Sequence, residues 1–366
     1  MKITIFRPIV RDSNWSMRVC ADGLVGHLRS ELRDGDSIGE FGASADGADR
    51  GMFHYRKYLK YQWEAFRRKG DVNHITDHSY GHLVFSLDPR RTVVTFHDAV
   101  LMRLMDRTLS ARSYPRWRIL AQRYSFKGIE RARKVIAVSH ASKEDFLRYA
   151  GRFDPGDVEV IHNGIDTAFG PARDEDRLKV VRERCRLDPG LHYVLHVGHN
   201  GFYKNVEGLF RALSELEDDV HLLKVGSLFD RDQARKLVRY GLSHRVHVIE
   251  NASRLDMPVL YHVGTLLLFP SIHEGFGLPV LEAMACGTPV ICSDIPVLRE
   301  VASDAALFYH PRDHQGMAEG VRRLIADNTL RGGLVQRGLE RASAFGWDRC
   351  ARAVYRIYRK IHDEQK

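Results

Sequence analysis

Cysteine is scarce. Five residues (Cys20, Cys185, Cys286, Cys292 and Cys350) are scattered over 366 positions without a CxxC, so neither a zinc ribbon nor a redox pair is indicated. The opening MKITIFRPIV lacks the long apolar core and small-residue cleavage site of a signal peptide. With the odd cysteine count, that favours a reducing cytoplasm. No run of about 18 consecutive apolar residues exists, which excludes a spanning helix. There is no short internal repeat or low-complexity tract, and no helix-turn-helix, RRM or zinc-finger signature. Asp34-Gly35-Asp36 sits in a glycine-rich stretch and not after a strand, so it is not read as a metal site.

What is present points to a folded, two-domain α/β protein. A hydrophobic content of 44% rules out a disordered or collagen-like chain. The length suits two cores of ordinary size better than one. Short β-branched and apolar runs alternate with helix-period segments. The first series is KITIF near residue 2, NHIT at 73, TVVTF at 92, KVIAV at 134 and VEVI at 158. The second is YVLHVG at 193, HLLKVG at 221, VHVIE at 246, TLLLFP at 265, PVICSD at 289 and ALFYH at 306. Strands alternating with long helices argue for βαβ units and parallel sheets, here two doubly wound Rossmann-like domains facing across a cleft. Between the series, GPARDEDRLKVVRERCRLDPG (170–190) reads as a charged linker with proline and glycine at its ends. The expected boundaries are 1–170, a linker over 171–190, 191–346, and a last helix over 347–366. Residues 33–51 read as a mobile loop.

The formal charge of +9 is uneven: residues 51–150 hold 20 Lys and Arg against 9 Asp and Glu. Such a field attracts an anionic partner, whether nucleic acid, anionic lipid or a phosphorylated substrate. Within it, residues 53–69 (FHYRKYLKYQWEAFRRK) interleave aromatics with Arg56, Lys57, Lys60, Arg67 and Arg68. Both an interfacial helix and a core-facing helix with a solvated basic face fit that pattern.

The most specific stretch is HEGFGLPVLEAMACGTPVICSD (273–294). Pro279 suits a first helical turn and Gly287 the position past a helix end, predicting a helix from about Leu278 to Cys286. Gly275 and Gly277 then precede its N-terminus, where free N–H groups attract anions and glycine lets a ligand approach closely. Glu274 lies before the turn and Glu282 about one turn into the helix. A carboxylate accepts from paired hydroxyls such as those of ribose or a hexose. The competing reading is a glycine turn whose acids favour the helix dipole. In HVGHNGFYKNVEGLFRAL (196–213), Lys204 falls at a predicted helix start, where a cation is disfavoured unless it faces a bound anion or points into solvent. In TFHDAV, His97 stands at a strand exit with no HxH or HExxH spacing for a metal, and reads either as a satisfied loop histidine or, in function, as a hydrogen-bond donor lining the cleft.

These residues resemble the signature of the retaining nucleotide-sugar glycosyltransferases of family 4, which have the GT-B architecture. The matching pieces run in the usual order through VIAVSHASKEDF, VIHNGID, the VG…YKN segment, LLLFPSIHEGFGLPVLEAMACGTPV and WDRCARAVYRIYRKI. The resemblance implies a C-terminal domain that binds the nucleotide sugar, an N-terminal domain that binds the acceptor, and a last helix that crosses back. It implies that Glu282 holds the ribose hydroxyls, Glu274 and His97 the transferred sugar, and Lys204 the departing diphosphate. The backbone of Gly275, Phe276, Gly277 and Leu278 would cradle sugar and phosphate, and Gly198, His199, Asn200 and Asn251 complete the donor set. Many relatives carry arginine directly after the VG, where this chain has His199 and Asn200, which shifts the expected diphosphate binding onto Lys204 and helix termini. The resemblance further implies retention of configuration, no cofactor and no metal. The acceptor is expected to be a glycan, a lipid-linked saccharide or another hydroxyl compound, in cell-surface polysaccharide or glycoconjugate synthesis. The basic half adds a peripheral contact with an anionic inner membrane face. Two other readings stand beside it: a nucleotide-sugar epimerase of the same architecture, and a nucleic-acid binder using the basic half.

Overall fold

The computed structural model describes residues 1–9, 15–42, 54–106, 108–109, 115–151 and 153–366. By internal contacts the chain divides into one unit of Met1–Gly164 with Phe345–Lys366, and a second of Ile165–Ala344. The first holds β1 (Lys2–Phe6), β2 (Ser37–Phe41), β3 (Val72–Ile75), β4 (Thr92–Phe96), β5 (Lys134–Ala137) and β6 (Val158–Val160). The second holds β7 (His192–Val197), β8 (Val220–Val225), β9 (Val246–Ile249), β10 (Leu266–Phe269), β11 (Val290–Ser293) and β12 (Ala306–Tyr309). Their orders are β2-β1-β3-β4-β5-β6 and β12-β11-β10-β7-β8-β9, and every neighbouring pair is parallel. β3, β4, β5, β10 and β11 are buried at every position, as expected of strands covered by helices on both faces.

Eleven of these strands coincide with apolar runs in the sequence. β2 does not. Its residues, SIGEF, are largely exposed and fall within the stretch read as a loop. What makes them a strand is parallel pairing with β1, from Lys2 opposite Ser37 to Phe6 opposite Phe41. An edge strand with one glycine and one glutamate carries little periodic signal. Residues 43–51 of that same reading lie outside the described residues.

The expected linker also differs. Residues Glu175–Cys185 form a helix capped by Asp174, whose side chain accepts from Arg177 N at 3.0 Å. Leu178 and Val181, one turn apart, are buried and turn the helix toward Met257–Val263. Seven charged residues among the eleven of EDRLKVVRERC mask that two-residue apolar stripe when composition alone is read.

The final helix, Trp347–Asp363, packs on Trp15–Glu31 in the first unit. His74 of β3 ties it down: one ring nitrogen meets Tyr358 Oη at 2.5 Å and the other Thr95 Oγ1 at 2.7 Å. Burial pushes His74 down to about 3, so it stays neutral. Gly164 permits the approach, since a Cβ there would lie 2.3 Å from Trp347 N.

Candidate active site

A doubly wound sheet reverses its strand order at one point, and ligands bind beyond the carboxyl ends of the strands there. In the second unit that point lies between β7 and β10. The loop after β7 passes through Gly198 at φ 144 and reaches a 3₁₀ turn, Phe202–Lys204. The helix Val206–Ser214 begins only after Asn205, its N-cap. Lys204 thus precedes the helix and does not sit at its start. Its ammonium is directed at Glu274, with Nζ 2.6 Å from Oε1. Both side chains are about nine-tenths buried, at 11% and 9% exposure.

Two bonds hold the loops together: Ile272 N donates to Tyr203 O at 2.7 Å, and Asn205 Nδ2 donates to Pro270 O at 3.0 Å. Asn205 adopts φ 55 while its Oδ1 caps Gly208 N. It went unnoticed in the sequence although asparagine before an apolar-periodic run is a helix-start signal.

After β10 the chain turns through Gly275, Phe276 and Gly277 into the helix Leu278–Ala285. Gly277 has φ 98, a left-handed conformation that favours glycine, and a Cβ there would also press on Leu298 Cδ2 at 2.8 Å. No side chain caps this helix; Pro279 has no N–H and Val280 N donates to Gly277 O at 3.0 Å, which leaves the Leu278 amide to face an anion. Phe276 is buried, and Leu278 is half-buried. Glu282, half-buried with its carboxyl enclosed, accepts from Tyr261 Oη at 2.6 Å. Burial pushes that carboxyl up to about 7, against the pull of the tyrosine hydrogen bond. It therefore changes charge near neutral pH.

Lys224 had no signal in the sequence, where it interrupts an apolar strand. It is fully buried in β8, opposite His196 of β7, and its Nζ donates to Gly198 O at 2.5 Å. Gly226 makes room, since a Cβ there would lie 2.3 Å from that same oxygen. Burial, and then the charge of Lys204, push Lys224 down to about 8. His196 is kept neutral by burial and by Lys224, with Nδ1 facing Leu268 O at 3.3 Å. Lys224 thus positions the Gly198 turn, and Lys224→Met should weaken nucleotide diphosphate binding. In wild type, affinity should decline as pH rises through about 8 and Lys224 loses its proton, and titration of the methionine variant should lack that decline. Lys224 binds protons more weakly when folded, so its contribution to stability rises with pH above that value.

Other expected site residues are placed differently. His199 Nδ1 accepts from Gly201 N at 2.8 Å and its Nε2 meets Tyr203 Oη at 2.8 Å. Asn200 Nδ2 donates to Ser227 O at 3.2 Å and also to Leu228 O. Both side chains shape the loop, a task their expected donor contacts did not include. Asn251, at φ 50 and exposed, follows edge strand β9, two strands or about 10 Å from β7. It does not join the Lys204–Glu274 pair.

His97 belongs to the first unit, 4% exposed at the end of β4. Its Nε2 donates to Thr76 O at 2.8 Å, and its own N–H donates to His78 Nδ1 at 3.3 Å. Burial and His78 push it down, and the residue lines a small cavity with Cys20 and Cys350. The donor read as lining the cleft is thus spent on a backbone carbonyl at the neighbouring strand exit, as a satisfied loop histidine would be. Among the described residues, no three His, Cys, Asp or Glu side chains are grouped to hold a metal.

Residues 13–169 match the model of Glycosyltransferase Family 4, and residues 181–341 that of Glycosyl transferases group 1. The chain is 27% identical over 279 residues to O-antigen chain mannosyltransferase B of Escherichia coli, covering 74% of this chain and 71% of that protein. It is 32% identical over 250 residues to alpha-maltose-1-phosphate synthase of Mycobacterium tuberculosis, covering 63% of this chain and 64%, just under two thirds, of that one. Sucrose-phosphate synthase from Thermosynechococcus elongatus has the same fold, with a TM-score of 0.78 over 100% of both chains at 20% identity. Anabaena HepE, solved with UDP-glucose, gives 0.77 over 98% of this chain and 100% of that one at 19% identity. With family models matching both halves and the GT-B fold running through the whole chain, the protein belongs to glycosyltransferase family 4.

Proposed function

We propose that this glycosyltransferase moves a sugar from a nucleotide-sugar donor to a hydroxyl of a glycan or lipid-linked acceptor, with retention of configuration and without a metal or cofactor. The setting is cell-surface polysaccharide or glycoconjugate synthesis at the inner face of the membrane. The observation that carries this is the meeting of Lys204, Glu274 and an uncapped helix N-terminus at the β7–β10 switch point, with Glu282 one turn further on.

In this reading Glu282 accepts from the ribose hydroxyls, and the Leu278 amide after Gly277 faces the diphosphate. As the bond from the anomeric carbon to the diphosphate oxygen breaks, charge collects on that oxygen. Lys204, held in place by Glu274, and the Leu278 amide at the helix N-terminus stabilise it where it forms. The acceptor oxygen attacks from the face the diphosphate leaves, and its proton passes to the departing phosphate. The first unit supplies the acceptor surface.

The sequence relatives named above are a mannosyltransferase and a maltose-1-phosphate synthase, which favours transfer over epimerisation. A thermal-shift screen of UDP-, GDP-, ADP- and dTDP-sugars identifies the donor, since a native-state ligand raises stability. Product anomeric configuration by NMR then tests retention. Donor conversion to an epimer without acceptor would overturn the proposal. Activity is expected to survive EDTA, because Lys204, with the helix N-terminus at Leu278, supplies the positive charge. Loss restored specifically by magnesium or manganese would refute metal independence.

A further inference from the structure

The basic residues 51–150 fold so that one face of the first unit gathers apolar and positive side chains together. All six large aromatic side chains more than a third exposed among the described residues lie here: Tyr55, Trp63, Phe66, Phe85, Trp117 and Tyr124. Leu59 and Leu120 join them at 63% and 64% exposure. Tyr55, Leu59, Trp63 and Phe66 recur every three or four residues, so the π-helical turn Arg56–Lys60 and the helix Tyr61–Arg68 that continues it present them as one stripe. The same helix turns Tyr61 and Ala65 into the core, so the outward stripe is surplus to packing. On the helix Arg116–Ile129, Trp117, Leu120 and Tyr124 form a second stripe.

The two stripes are joined. The Trp117 ring lies 4.9 Å from that of His54, Gln62 Nε2 donates to Tyr124 Oη at 3.0 Å, and Tyr124 stacks on Phe85 at 5.0 Å. Exposed cations fringe both: Lys60, Arg67, Arg68 and Lys69 on one side, Arg118, Arg123, Lys127 and Arg131 on the other. Several lie against the rings, as Arg67 does on Trp63 at 4.7 Å and Lys69 on Phe66 at 4.7 Å. Glu64 and Glu130 are the acids on these helices and their immediate ends.

We propose that this face docks on an anionic lipid bilayer, with the Trp, Phe and Leu side chains in the headgroup–acyl boundary and the Lys and Arg groups on lipid phosphates. This names the surface for the membrane contact proposed above and rests on that reading. Rings with a polar edge settle at the headgroup level, while long cationic side chains keep their heads in water. Clustered cations supply the attraction to anionic lipid. Exposed leucines add apolar insertion, which nucleic acid offers no place for.

The test is cosedimentation of the full chain with phosphatidylcholine vesicles with and without about one-third phosphatidylglycerol. Tryptophan quenching by lipids spin-labelled near the headgroup is read alongside. Binding should be at least about tenfold tighter to the anionic vesicles and should weaken as strongly at about 0.5 M salt. The triple variant Trp63→Ser, Phe66→Ser, Leu120→Ser should lose binding and quenching by at least about tenfold, yet transfer normally to a water-soluble acceptor, since none of these side chains is in the core. The variant Arg67→Glu, Lys69→Glu should lose the preference for anionic lipid. Wild-type-like binding by the triple variant, equal binding to neutral vesicles, or no binding would overturn the proposal. So would wild-type self-association abolished by the same substitutions, which would make the face a protein interface. Vesicle binding by a chain that transfers no sugar would retain the surface and refute the transferase reading instead.

Discussion

Lys204→Ala is expected to lower kcat by about 10²–10³-fold, because it removes a cation from where leaving-group charge develops. The structure adds a second consequence. Glu274, 9% exposed, is paired with Lys204 at 2.6 Å, so the single variant leaves a carboxylate enclosed without its counter-charge. Breaking a buried pair by removing one partner costs about 3 kcal/mol or more, and the alanine variant should melt measurably lower than wild type. Adding Glu274→Gln to Lys204→Ala should recover most of that stability and none of the turnover. Rescue of stability alone separates the two roles of this lysine. Near-wild-type kcat in the single variant, with authentic donor and acceptor, would remove Lys204 from the site.

Glu282→Gln is expected to bind nucleotide more weakly while folding more stably. The folded carboxyl titrates at about 7, raised from 4.5, so the native state holds a proton that the unfolded chain has already released. Its contribution is fully present below the unfolded value and is lost as pH rises through about 7. At one pKa unit per 1.4 kcal/mol, ionising this group in the fold costs roughly 3 kcal/mol by pH 8. Glutamine, neutral at every pH, should therefore raise the melting temperature at pH 8 and leave it nearly unchanged near pH 4. The helix-dipole reading of these acids predicts the opposite sign.

Ribose hydroxyls donate to a carboxylate, so nucleotide binding should favour the ionised form and release a proton below about pH 7. Calorimetry in two buffers of different ionisation heat would detect it. In Glu282→Gln that release should vanish and affinity should drop by about 10–100-fold, the worth of one charge-assisted hydrogen bond. Glu274→Gln should behave differently. It frees Lys204 from its counter-charge, so nucleotide diphosphate should bind at least as tightly as in wild type while turnover falls. If both variants bind and turn over like wild type, the role assigned to HEGFGLPVLE is wrong.

Eleven strands, the helix Leu278–Ala285, and the positions of Glu274 before it and Glu282 within it were legible in the chain itself. They are recorded locally: unbroken apolar runs for strands covered on both faces, proline at a helix start, glycine where φ must be positive. What remained hidden depends on neighbours distant in sequence. SIGEF becomes β2 only by pairing with β1, and the charged segment before β7 becomes a helix by burying two side chains on its own unit. His97 read as a donor for a ligand, but in the fold its ring N–H is bonded to Thr76 O. Lys224 was one polar letter in an apolar strand until the fold set it under the Gly198 carbonyl. Residue type and spacing determined which groups could do chemistry. Their charge states and partners were decided only by tertiary structure, because desolvation and hydrogen bonding depend on what packs around a group and not on its place in the chain.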